Sequence, residues 1–92
     1  MSAEATAWAW RQDLSQNAKL LLLFLADGTD RYHRGAKEAI EDAPYACGFD
    51  KQTMQRHLDT LIEKKLVEVF DGNSYRVHAP PPKHTSFRFE QP

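Results

Sequence analysis

The chain has 92 residues, 41% of them apolar, which suits one small domain around one core and excludes a disordered chain. Its longest apolar run, Leu20 to Ala26, is far short of the ~20 residues of a membrane span; no basic and apolar leader opens it, and the single cysteine, Cys47, excludes an internal disulfide or a multi-cysteine zinc site, so a reducing cytoplasm is the expected compartment. A net charge of −1 argues against general phosphate binding, so any nucleic-acid contact must come from a local grouping of bases.

Residues 1–7 read as a loose N-terminal segment. Trp8 and Trp10 then predict a stretch that folds back onto the core. Ser15 is placed to cap a helix that runs to about Ala26, with Gly28 just past its end. Leu20 to Leu25 is apolar nearly all round, which predicts the central, most buried helix, with a role as scaffold alone. Thr29 to Gly35 reads as a polar loop. Ala36 to Cys47 holds a second helix, interrupted by Pro44, which in a helix interior costs about 3 kcal/mol. Either that helix ends near Asp42, or Asp42 caps a fresh turn with Pro44 at its start. A kinked or two-piece element is expected.

Gly48 suits the positive φ of a sharp corner, and Asp50 suits the N-cap of a third helix, Lys51 to about Lys64. Met54, Leu58, Leu61 and Ile62 recur at helical spacing as one buried stripe, leaving Lys51, Gln52, Gln55, Arg56 and Asp59 on the other side. Leu66–Phe70 and Ser74–Ala79 read as strands joined by Asp71-Gly72-Asn73, a strong hairpin turn. Alternation turns Tyr75 and Val77 to the core and Arg76 and His78 outward. Pro80-Pro81-Pro82 starts a tail, 80–92, in which Phe87 and Phe89 flank Arg88. The fold class is α+β, mostly α. Three helices followed by a β-hairpin over residues 8–79 is the layout of a winged helix-turn-helix.

Trp8-Ala9-Trp10, Leu14-Ser15, Ala18 to Leu23 and Leu25-Ala26-Asp27, with Gly48, Thr53, Gln55 to Leu58, Leu61 and Leu66-Val67, carry a resemblance as well. Over roughly Trp8 to Val69 the chain resembles the helix-turn-helix domains of bacteriophage and prophage replication or regulatory proteins. The Trp-Ala-Trp opening with its Ala-Lys-Leu helix is the more distinctive half. Two positions depart from that pattern. Ala43-Pro44 stands where the family tends to have Leu-Ala, and Lys65 stands where it tends to have glycine before the Leu-Val that opens the wing. The resemblance implies a nucleic-acid-binding ancestry and a bacterial host cell.

A helix with one face buried and Lys51, Gln52, Gln55 and Arg56 on the other suits the major groove. Arg56 or Lys51 can pair with guanine O6/N7, and Gln52 or Gln55 with adenine N6/N7. Asp59 and Glu63 continue that face and repel phosphate, which confines contact to the first two turns. Thr53 either contacts phosphate or completes the cap. Tyr45 either bonds a phosphate or packs, packing being the plainer expectation. Arg76 and His78 can lie along the backbone or in the minor groove, or be exposed without a role. Arg31 and Arg34 are further candidates for phosphate. His57 is expected to line the side of the helix, and Cys47 to be a small buried residue.

The four histidines have no metal-binding spacing, and no nucleophile–base pair, phosphate loop or paired carboxylates occur, so neither a cofactor nor an enzyme is expected. Two functions follow. One is a sequence-specific double-stranded DNA-binding module, either a phage or mobile-element transcriptional regulator or a replication accessory factor. Such a module would gain affinity as a homodimer on an inverted repeat, joined through the aromatic N-terminal segment or the Phe87–Phe89 tail, or by tethering to another bound protein. The other is a protein-interaction domain without DNA binding, such as a small phage inhibitor of a host or defence protein, using the acidic Glu38-Glu41-Asp42 face. Neither reading calls for a membrane.

Overall fold

Ser15 opens the helix around which the molecule is built. Its hydroxyl accepts a bond from the Ala18 N–H at 3.4 Å, and helix α2 follows over Gln16–Asp27, numbered second because a short helix, α1 (Ala3–Trp10), precedes it. The computed structural model describes residues 3–71 and 74–80. After α2 come β1 (Arg34–Ala36), α3 (Lys37–Cys47), α4 (Lys51–Glu63), β2 (Val67–Phe70) and β3 (Ser74–Val77). The class is α+β and mostly helical: the described residues form four helices and a three-stranded antiparallel sheet in the order β1-β3-β2.

Helix α2 buries Ala18, Leu21, Leu22, Leu25 and Ala26, and α1, α3 and α4 all pack on it. It is the central helix, as its apolar run predicts, although Leu20 is 42% exposed. A run that is apolar all round still leaves one arc outside when its neighbours pack on the other side of the helix.

Residues 3–7 are not a loose segment. They belong to α1, which lays Ala5, Trp8 and Ala9 into the core. A helix of 8 residues is marginal alone, so this apolar face on α2 is what holds it. Trp8 folds back as expected, but Trp10 is 61% exposed because one helical turn cannot point both rings inward.

The stretch expected to be a polar loop, 29–35, ends in a strand. Thr29 is buried and donates its hydroxyl to the Ala26 carbonyl at 2.7 Å. Asp30 Oδ1 accepts the N–H groups of Tyr32 and Arg34 at 2.8 and 3.1 Å, and those two bonds hold its carboxyl below the usual range. The turn passes through His33 at φ 65° and delivers β1 to the side of β3. Gly35 stands opposite Tyr75, and a Cβ built there would overlap the tyrosine ring. Tyr75 is fully buried and donates its hydroxyl to the Leu25 carbonyl at 2.6 Å, tying sheet to α2. Burial, with the Asp27 charge as a lesser cause, pushes its phenol up to about 12.

Helix α3 is neither kinked into two nor ended at Asp42; one α-helix runs through Pro44 to Cys47. Only three residues follow Pro44, and its own carbonyl takes the Gly48 and Phe49 N–H groups that close the helix. The lost bond is thus confined to the last turn, where a helix is least dependent on it. Helix α4 buries Met54, Leu58 and Leu61, but Ile62, expected in the same stripe, is 40% exposed. Its end is a Schellman turn: Leu66 N–H bonds Leu61 O at 2.9 Å and Lys65 N–H bonds Ile62 O at 2.9 Å, with Lys65 at φ 63°.

The strands are shorter than predicted, and Tyr75 and Val77 face inward while Arg76 and His78 face out, as alternation requires. Asp71 enters the hairpin turn at φ 42°; Gly72 and Asn73, and the tail from 81 onward with Phe87 and Phe89, lie outside the described residues.

Candidate nucleic-acid interface

Gly48 sets the corner between α3 and α4. Its φ is 78°, in the left-handed region that a side chain disfavours. Phe49 then turns partly into the core and meets the His57 ring at a centroid distance of 5.6 Å, so His57 lines the flank of α4 as expected. Asp50 caps the helix: its Oδ1 accepts the Thr53 N–H at 2.7 Å. Bonds from the Thr53 backbone and hydroxyl, with a smaller pull from Arg56, hold the Asp50 carboxyl below its usual range. Thr53, half-buried, thus bonds Asp50 through both its backbone and its hydroxyl.

The register that buries Met54, Leu58 and Leu61 leaves Lys51, Gln52, Gln55 and Arg56 exposed on one side of the first two turns. Gln55 is not idle; its Nε2 donates to Asp59 Oδ1 at 2.8 Å, one turn on. Lys51 and Gln55 also line a shallow groove between α3 and α4, with Ile40, Glu41, Pro44 and Met54. Lys37 pairs with Glu41 at 3.4 Å beside it, which leaves that carboxylate partly neutralised. Tyr45 does not pack. It is 95% exposed at the end of α3, since the α3 face that meets the core is used by Ala43.

Arg76 and His78 form a second group, on the outer face of the sheet. His78 Nε2 is 3.2 Å from Glu68 Oε1, so His78 has a carboxylate partner rather than a free ring. The sheet register puts Arg76 between Glu68 on β2 and Arg34 on β1. Two arginines directly opposite on neighbouring strands repel unless an anion lies between them. Nothing local announces β1, since its three residues, Arg-Gly-Ala, have no strand-forming composition. Arg31 lies apart from this pair, with its guanidinium on Tyr32: Nη2 is 3.0 Å from the hydroxyl. Cys47 is half-buried, and burial raises its thiol above the usual range.

Among the described residues no group of three or more His, Cys, Asp or Glu side chains is arranged to hold a metal ion, and no helix is long and apolar enough to cross a membrane. The chain matches no protein-family model, no curated protein and no solved structure.

Proposed function

We propose that this chain is a winged helix-turn-helix module that binds double-stranded DNA with α4 in the major groove and the β2–β3 hairpin along the backbone. It would act as a regulator or replication accessory factor of a phage or mobile element in a bacterial cytoplasm. One observation carries the reading: Lys51, Gln52, Gln55 and Arg56 share the exposed side of a helix that follows a left-handed glycine corner. The element order α2-β1-α3-α4-β2-β3, with β1 beside β3, supports the winged layout.

The roles follow from donor chemistry. Arg56 and Lys51 donate to guanine O6 and N7, Arg56 in the bidentate manner that its planar fork allows. Gln52 is the amide for adenine; Gln55 must first release Asp59. Tyr45 can donate its hydroxyl to a phosphate, and Arg76 with Arg34 can hold another. His78 joins them only after leaving Glu68. This mechanism needs no cofactor and no catalytic group.

The test is selection of bound sequences from a random duplex pool, followed by binding to the selected site. Arg56→Ala should cost about 1–3 kcal/mol in affinity and relax the preference at one base pair. Its melting curve should stay that of the wild type, because Arg56 is exposed. Unaltered binding by that variant would overturn groove insertion.

A second reading draws on Tyr45, which is 95% exposed on the same side of α3 as Glu38, Glu41 and Asp42. A tyrosine among carboxylates suits a basic protein partner, as in a phage inhibitor of a host or defence protein. An empty selection, together with a pull-down that survives nuclease and is lost on charge reversal at Glu41 and Asp42, would favour it.

A further inference from the structure

Helix α2 is the scaffold of the fold, yet one arc of it faces outward. Gln16, Leu20, Leu23 and Asp27 recur at intervals of four, three and four along this arc, the spacing of a two-helix seam. Leu20 is 42% exposed, Leu23 half-buried and Trp10, beside them, 61% exposed, and together they wall an open apolar groove. The Trp10 end of the groove is held in place, since Lys19 Nζ donates to the Trp10 carbonyl at 3.0 Å.

We propose that this face is the contact between two copies of the chain, joined by antiparallel pairing of α2 with the partner's α2. The pattern is complementary to itself. Running the second helix in the opposite direction places Leu20 against the partner's Leu23 and Leu23 against the partner's Leu20. The ends of the seam differ in polarity in the sense this arrangement needs. Gln16 and Lys19 at the start of α2 bring an amide and an ammonium to the partner's Asp27, and the same pairing recurs at the other end. A parallel pair would instead set Asp27 beside the partner's Asp27. The helix dipoles are also opposed in the antiparallel case. With a net charge of −1, the copies have almost no mutual repulsion to overcome. The seam residues are not among the buried residues of α2, and α4 packs on α2 without any of its polar residues lining this groove. The contact holds whatever α4 binds.

Light scattering behind a sizing column, on the full chain at micromolar to millimolar concentration, decides the matter. The wild type should run at twice the chain mass and fall to the single mass on dilution. Leu20→Glu should stay at the single mass with the melting curve of the diluted, single-mass wild type, because Glu suits an exposed helical position. Asp27→Lys should weaken the dimer at least tenfold, and Lys19→Glu with Asp27→Lys should restore it. A wild type at single mass throughout overturns the proposal and assigns the groove to another occupant. A Leu20→Glu chain that still pairs overturns this face, and an Asp27→Lys loss that the double variant does not recover overturns the antiparallel arrangement.

Discussion

Lys65 is the residue at which backbone and side chain disagree. It occupies the left-handed position of the Schellman turn at φ 63°, a conformation that costs an L-residue about 1–2 kcal/mol. Lys65→Gly should therefore stabilise the fold by about 1 kcal/mol, once glycine's extra freedom in the unfolded chain is offset, and raise Tm by about 4–8 °C in thermal denaturation. An unchanged or lower Tm would mean the turn carries no strain. Gly35 presents the converse case. A Cβ there meets the buried Tyr75 ring, so Gly35→Ala should destabilise by about 1–3 kcal/mol in urea titration, the usual cost of overpacking. The mismatch at position 65 lies within its own turn, among neighbours in the chain. Nothing marked position 35, because the ring that excludes its Cβ comes from a residue 40 positions away, Tyr75.

At the scale of elements, Tyr75 joins the sheet to α2, and its ionisation gives that joint a pH signature. The folded chain raises the phenol to about 12, while the unfolded chain ionises near 10. The stabilisation is thus fully present below pH 10 and is lost as pH rises through 12, about 2–3 kcal/mol in all. Tyr75→Phe should flatten the alkaline limb of the stability profile. It should also lose about 1 kcal/mol at pH 7 with the bond to Leu25. An alkaline limb that is identical in both proteins would place its cause elsewhere. On the acid side Asp50 acts in the opposite sense. Its lowered carboxyl favours the folded chain above the ordinary carboxylate range, and that benefit fades as pH falls and the α4 cap is protonated. Capping of this kind is a local matter, and Ser15, Gly48 and Asp50 were all legible from neighbouring residues. The continuity of α3 was not, because the penalty of Pro44 depends on how many helical residues follow it.

The whole molecule is nearly neutral, and this limits what it can do with a duplex. Long-range steering is weak, so affinity must come from the few cations on the candidate interface. With Lys51, Arg56, Arg76 and Arg34 as the phosphate-capable set, the slope of log K against log salt should be about −3 to −4. Neutralising Arg34 or Arg76 should reduce it by about 1 each without altering base preference. Slopes that stay the same in those variants would remove the outer sheet face from the interface. Pairing through α2 would double the cations per particle, and the slope on a duplex that engages both copies would steepen accordingly.

Taken alone, the amino-acid order determined what depends on neighbours in the chain: helix caps, the glycine corner, the 3.6-residue stripe of α4 and the two-residue alternation of β3. These are short-range steric and hydrogen-bonding preferences, written within a few residues of where they act. Only tertiary structure decided the rest. Strand β1 exists because β3 supplies its hydrogen bonds, Tyr45 and Trp10 stand exposed because other residues took the core, and Arg34 meets Arg76 because two distant segments share a register. Pairing and burial are settled by which surfaces fit together across the molecule, and no local pattern encodes that choice.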